Sequence, residues 1–248
     1  MSEGQSRGLH LSCSTLLTLI LLLFCASALH AQKAKKPPAK PKEKPPIAEK
    51  ITDNLYRVGA VVIDMAAKTA TCPGEINMDR GTIEYLAVAP GGKTHESLLT
   101  LRVRPLHLQV ALILLGLEPK NVLKQQGESK KPEGSPVEIK IRWQDKTGET
   151  QEFPADYFIA KQPDGEPAER HNWVFTGSRI FKEGFEADIV KSLVAVWHDP
   201  AAILDNPTEE GADNIFIVNA SRTPKRGTRI EFIVKALPKE PISEKKER

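Results

Sequence analysis

Residues Val137–Gln144 read VEIKIRWQ, and this strict alternation limits the fold more than any other feature of the chain. Val137, Ile139, Ile141 and Trp143 fall on one side of an extended backbone, because successive side chains of a strand point to opposite faces. A helix would scatter the same four residues around its circumference. Similar short runs recur along the sequence: Leu55–Asp64, with Gly59 as a candidate bulge, Lys68–Cys72, Ile83–Ala89, Asn172–Thr176, Ser192–His198, Ile215–Asn219 and Arg229–Lys235. Turn residues at Pro90–Lys93 and Asp145–Gly148 punctuate them. Gln125–Pro136, Gln162–Arg170 and Asn206–Asp213 are polar, Gly- or Pro-containing breaks that read as surface loops.

One segment departs from the two-residue period. Pro105–Leu115 reads PLHLQVALILL, with Pro at the first helical position and Gly116 just past the end. Its apolar residues occupy most of the circumference, which predicts a helix buried on nearly all sides. On this pattern Leu114 is a core residue, and Leu114→Asp would unfold the protein. A second, short helix is expected at Asp199-Pro200-Ala201-Ala202, with Asp199 as its cap. The expected fold class is therefore α+β: an antiparallel-rich sheet with one central buried helix, over residues 47–237.

The first 46 residues have a different composition. Leu16–Leu29 is an uncharged apolar run of 14 residues, shorter than the roughly 18 expected of a membrane span. Near its end Ala26-Ser27-Ala28 is a small-residue cleavage site, with Ala31 as a second position. Residues 1–28 thus read as an export signal, the alternative being an uncleaved anchor. Residues 29–46 hold six Lys, one Glu and a high density of Pro. Such a segment reads as an extended tether, either a spacer or an adhesive for an anionic envelope surface. Residues 238–248 form a charged tail. The protein is expected in the periplasm or outside the cell.

The net charge is +3 for the whole chain, but the tether alone carries +5 and the tail +1, which leaves residues 47–237 at −3. A mildly acidic domain has no basic field to hold phosphates, so nucleic acid is excluded as a partner. Cys13 and Cys25 lie within the signal, and only Cys72 remains beyond it. A single cysteine supports neither an internal disulfide nor a cysteine-ligated cluster. Its place in an alternating run makes it a structural thiol, with a reactive thiol as the alternative.

Candidate chemistry centres on Gly92–Ser97, which reads GKTHES. A His beside a Glu suggests an acid–base pair or a metal ligand. If residues 95–103 form a strand, however, His95 and Glu96 point to opposite faces. His107, in the first turn of the apolar helix, is the other candidate ligand. His95, Glu96 and His107 would make a metal-assisted hydrolase. The spacing of the two histidines is twelve, unlike the H-E-x-x-H pattern. The alternative is a binding site for a small anion, formed by Lys93, His95, Glu96 and His107 at a turn and a helix start. That reading requires no metal and no cofactor. His171 and His198 read as capping or surface residues. No Walker A, G-x-G-x-x-G or G-x-S-x-G sequence is present.

Several of these pieces form one recognisable block. Gly81-Thr82-Ile83-Glu84-Tyr85, then Gly92–Leu99, then the Pro-His helix ending at Leu114-Leu115-Gly116, resemble the YdjY domain family of exported bacterial proteins. Downstream, Val137–Asp145, Asn172–Ser178 and the Asp199-Pro200 turn are similar too, so the resemblance covers about Val58 to Val234. It implies an exported domain of unknown activity and supplies no catalytic residues. Members are sometimes described as ferredoxin-like, and the lone Cys72 argues against an iron–sulfur role. The expected function is a non-enzymatic binding or assembly module at the bacterial envelope, its oligomeric state open.

Overall fold

The computed structural model describes residues 48–208 and 215–238. The segments expected as export signal and tether, residues 209–213 of the third loop and the tail beyond Pro238 lie outside the described residues.

Eight strands close into a barrel. In chain order they are β1 (Thr69–Ile76), β2 (Tyr85–Val88), β3 (Ser97–Leu101), β4 (Glu133–Gln144), β5 (Trp173–Phe175), β6 (Ser192–Ala195), β7 (Leu204–Asp205) and β8 (Arg229–Ala236). Around the barrel the order is β1-β8-β4-β5-β7-β6-β2-β3, and β3 returns to β1. The β7–β6 and β2–β3 pairs are parallel, and the others antiparallel. The α+β expectation is thereby corrected: the protein is mostly β, and its sheet closes on itself. Alternation specifies a half-buried strand but not what covers the buried face. Here the opposite wall of the barrel covers it.

Closure depends on Gly74. It stands opposite Leu101 in the β1–β3 register. A Cβ there would lie 2.6 Å from a Leu101 methyl and 2.9 Å from the Thr100 carbonyl oxygen. Only glycine lets the two strands come together at this point. The earlier half of β1 instead pairs with Val61–Asp64, the second arm of a hairpin begun by Leu55–Val58. The interior follows the sequence pattern. Ala70, Cys72, Val137, Ile139, Ile141, Phe232 and Val234 are buried, and their neighbours along each strand are more exposed. Burial pushes the Cys72 thiol up to about 12, so it stays protonated and unreactive.

The one helix of seven residues or more among the described residues is α1, Pro105–Leu114. It begins at Pro105 as the sequence requires, but it is not central. It lies against the Leu55–Asp64 hairpin and β1. Leu108, Ala111 and Leu112 are buried, whereas Ile113 and Leu114 are 47% and 42% exposed. A closed barrel fills its own interior, so α1 has only one face to bury. Gly59 is a hairpin turn rather than a bulge, with φ of +59°, and the His107 ring occupies the space a Cβ would take. The expected helix at Asp199 is a single turn: Ala202 N–H donates to the Asp199 carbonyl, and the chain then extends into β7. A second helix, α2 (Glu186–Val190), occurs where none was expected.

Candidate binding site

The expected site residues fall into two places. Thr94–Glu96 is a 3₁₀ turn, and the strand starts only at Ser97. His95 and Glu96 are therefore not on opposite faces: His95 Nε2 lies 3.6 Å from Glu96 Oε1, with the His95 side chain 74% exposed. His107 follows β3, at the other end of a strand about 17 Å long, and packs on Gly59. Lys93, His95 and Glu96 come together; His107 does not join them. Among the described residues no group of three His, Cys, Asp or Glu side chains is placed to hold a metal.

Lys93 is held from both sides. Asn77 Nδ2 donates to the carbonyls of Thr94 at 2.5 Å and Ser97 at 2.7 Å, and Ser97 Oγ donates to the Lys93 carbonyl at 2.6 Å. These bonds fix the turn that the chain makes after β2. The Lys93 ammonium reaches Glu84 Oε2 at 2.6 Å and Glu96 Oε2 at 3.5 Å. It also sits 5.6 Å from the Tyr85 ring centre and 5.8 Å from that of Trp197. Burial alone would lower the Lys93 pKa, but the two carboxylates outweigh it and raise it. Burial and the neighbouring Glu96 raise Glu84 above the ordinary carboxyl range.

Beside Lys93 a second chain of bonds runs inward. Gln126 Nε2 donates to the Tyr85 hydroxyl at 2.9 Å, and that hydroxyl donates to Asp199 Oδ2 at 2.8 Å. Asp199 Oδ1 accepts from Ala201 N–H. The Asp199 N–H donates in turn to Asp205 Oδ2 at 3.0 Å, while Asp205 Oδ1 accepts from Asn206 N–H. Asp205 is completely buried, and burial raises its pKa well above the ordinary value. Burial, followed by the Asp199 charge, raises Tyr85, so its hydroxyl remains a donor. The carbonyl of Glu84 holds this wall together by accepting from both Val196 and Trp197 N–H.

Lys93, Tyr85, Gln126, Arg179, Glu186 and Asp199 line a cavity of about 280 Å3. Arg179 binds Glu186 through two nitrogens at 2.6 and 2.7 Å, the two-pronged pairing that fixes a guanidinium. Other hollows are larger, among them two of about 430 Å3 along Glu118–Ser135 and along Arg142–Glu231 and one of about 380 Å3 beside His171. In the walls of the two largest of these Ser135 is the one buried polar residue, and its hydroxyl is already engaged with the backbone of Glu118. The buried polar network converges on the smaller cavity.

Of this site the sequence analysis identified Lys93 and its Glu96 partner. Tyr85 stood out only within the family-like block and Asp199 there and as a helix cap, neither as a site residue, and Arg179, Glu186 and Gln126 not at all. Gln126 came from a segment read as a solvent loop, yet Gly127 packs on the Trp197 ring and its N–H donates to the His198 carbonyl. His198 is fully buried, with Nδ1 2.7 Å from the Glu128 carbonyl oxygen, not a surface residue. His171 is half-buried, its Nε2 3.4 Å from Asp156 Oδ1. The indirect signal for Arg179 and Glu186 was their spacing of seven across a short hairpin, which only the three-dimensional arrangement turns into a pair.

Comparison with curated proteins and with solved structures gives no significant match. The family model for the YdjY domain matches residues 61–235, well over half of the sequence and the whole of the barrel. The chain therefore belongs to the YdjY domain family.

Proposed function

We propose that this YdjY domain is an exported, non-enzymatic binding module of the bacterial envelope, and that the Lys93–Tyr85–Asp199 cavity is its recognition site. Export is supported by the apolar run and cleavage site of residues 1–28, and attachment to an anionic surface by the six Lys of the tether. The observation that carries the binding reading is the pairing of the charged groups in the cavity wall. Lys93 is matched by Glu84 and Glu96, Arg179 by Glu186, and Asp199 by Tyr85. Such a wall is rigid and presents oriented donors and acceptors without a free nucleophile or base, which suits recognition more than bond breaking. On this reading a small anion shares the donors of Lys93 and Arg179 with the resident carboxylates Glu84, Glu96 and Glu186.

The test is titration of the ¹⁵N-labelled domain with inorganic phosphate and with acetate at low salt. The amide signals of Lys93, Gln126 and Ala201 should shift together, and Lys93→Ala should abolish the shifts while the protein still melts cooperatively. Unchanged spectra with both anions would end the anion-binding reading of the cavity.

A further inference from the structure

Four apolar side chains stand exposed beside the cavity. Ile180 is 76% exposed, Phe181 47%, Ile189 55% and Val190 43%. The first two belong to a small hairpin, Ile180–Phe181 paired with Gly184–Phe185, whose tip is Lys182-Glu183. The last two are the final residues of α2, which starts directly after that hairpin. The patch and the cavity share walls. Val190 and Arg179 both line the cavity, and the Arg179 guanidinium lies 5.1 Å from the Phe181 ring centre. An isolated exposed Ile needs no explanation, but a cluster of four at the mouth of a polar cavity does.

We infer that this rim is a membrane-contact surface: the domain docks on an anionic phospholipid bilayer, with Ile180, Phe181, Ile189 and Val190 entering the headgroup layer. This rests on the cavity reading, and it names the ligand as a phospholipid head group. Lys182 is exposed at the hairpin tip beside Glu183, while the Lys191 ammonium is turned back onto the Asp188 carbonyl, so the positive charge for an anionic surface comes chiefly from the tether. The chain enters the described domain at Ala48, directly after a segment carrying six Lys. Basic residues near an anionic bilayer attract weakly and are screened by salt, while a small apolar patch inserts weakly alone. The two together make a stable attachment, and this sequence supplies both. A second copy of the chain is the poorer occupant. Four half-exposed side chains fall far short of the roughly 800 Å2 per partner that a stable protein interface buries.

The experiment is co-sedimentation of the mature chain, tether included, with vesicles of phosphatidylcholine alone or mixed with phosphatidylglycerol. Binding to the mixed vesicles is expected, with little binding to phosphatidylcholine. Ile180→Ser/Phe181→Ser should weaken partitioning about tenfold, as expected for losing partial burial of two apolar side chains, with an unchanged melting temperature. Ile189→Ser should act in the same direction. Variants that partition like the wild type would overturn the proposal. So would a concentration-dependent dimer that the double substitution converts to monomer, since the patch would then be a self-association surface. Titration with soluble glycerol 1-phosphate reads the cavity separately. Amide shifts at Lys93 and Gln126 without any vesicle binding would leave the cavity reading intact and remove the membrane one. Vesicle binding unaffected by Lys93→Ala, with no response to glycerol 1-phosphate, would retain the docking surface and remove the head-group assignment.

Discussion

The wall made by β1, β8 and β4 buries alternate residues, apart from Ile233 on β8, whereas the wall made by β5, β7, β6 and β2 buries almost every residue it has. The first wall consists of long strands with one face in water. Its solvent side carries a ladder of exposed ion pairs, Lys140–Glu152, Arg142–Glu152 and Arg142–Glu231. The second consists of strands of two to four residues, covered from outside by α2, the Gln126 loop and the Asp199 turn. The buried Glu84, Ser192, His198, Asp199, Asp205 and Asn206 all belong to this second side, and β1 and β8 contribute none. A wall closed to water on both faces must satisfy its polar groups within the protein. That requirement produces a fixed hydrogen-bond network, and the candidate site is built on it. The long-stranded wall is built on apolar packing; the short-stranded wall carries the buried polar network.

The comparison breaks first if the long wall is not the main source of stability. Phe232 is fully buried on β8, between Cys72 and Ile141 in the strand register. Phe232→Ala should cost about 3–5 kcal/mol through lost burial and the cavity left behind, read from urea denaturation. That is a large share of a typical total of roughly 5–15 kcal/mol. A loss below about 1 kcal/mol would show that the barrel collapses readily around this position, contrary to a tightly filled interior.

The two walls also differ in how much of them the sequence reveals. The long strands obey a local rule, so Val137–Gln144 and Arg229–Lys235 were placed correctly from alternation alone. Pro105 and Gly116 likewise bracketed α1, because their backbone constraints are local. Closure was not legible. Whether a buried face meets a helix or the opposite strands depends on contacts distant in sequence, such as Gly74 with Leu101. The runs Ile83–Ala89, Asn172–Thr176 and Ser192–His198 do contain β2, β5 and β6, but the two-residue β7 leaves no pattern to read, and the hydrogen-bond network these strands carry is invisible in the sequence. Tyr85 and Asp199, 114 positions apart, meet only in the folded chain. Lys93 and Glu96 stand three apart in one polar run, whereas Arg179 and Asp205 join the network from separate segments of the chain.

The walls should also differ in their response to pH. On the long wall Glu152 is held below its ordinary range, chiefly by Arg142, but the pair is partly exposed and screened, so its contribution is small. On the short wall burial holds Asp205 well above its ordinary range. A carboxyl raised in the folded state stabilises the protein fully below its unfolded pKa of about 3.9. That contribution disappears as pH rises through the folded pKa. Asp205→Asn cannot titrate, and its amide accepts only one of the two backbone N–H groups that Asp205 now satisfies. The variant should be less stable by about 1–3 kcal/mol in acid, and the gap to the wild type should narrow as pH rises towards about 8, beyond the ordinary carboxyl range. Urea midpoints at several pH values check this. A gap that widens with pH would mean that Asp205 is ionised in the folded protein across the whole range.

The smallest effect concerns α1, which belongs to neither wall. Its apolar composition alone predicts that Leu114→Asp would bury an unpaired charge and unfold the protein. In the structure Leu114 is 42% exposed in the last turn of a helix that buries Leu108, Ala111 and Leu112 instead. An introduced carboxylate would remain in water, so desolvation contributes little. What remains is repulsion between that charge and the negative end of the helix dipole, about 0.3–1 kcal/mol. The expected outcome is a soluble Leu114→Asp protein that melts cooperatively, a few degrees below the wild type. Ala111→Asp places the same charge three residues earlier, on the buried face of α1, and should prevent folding. If the two substitutions were equally damaging, α1 would be covered on both faces, and the barrel would no longer account for its own core.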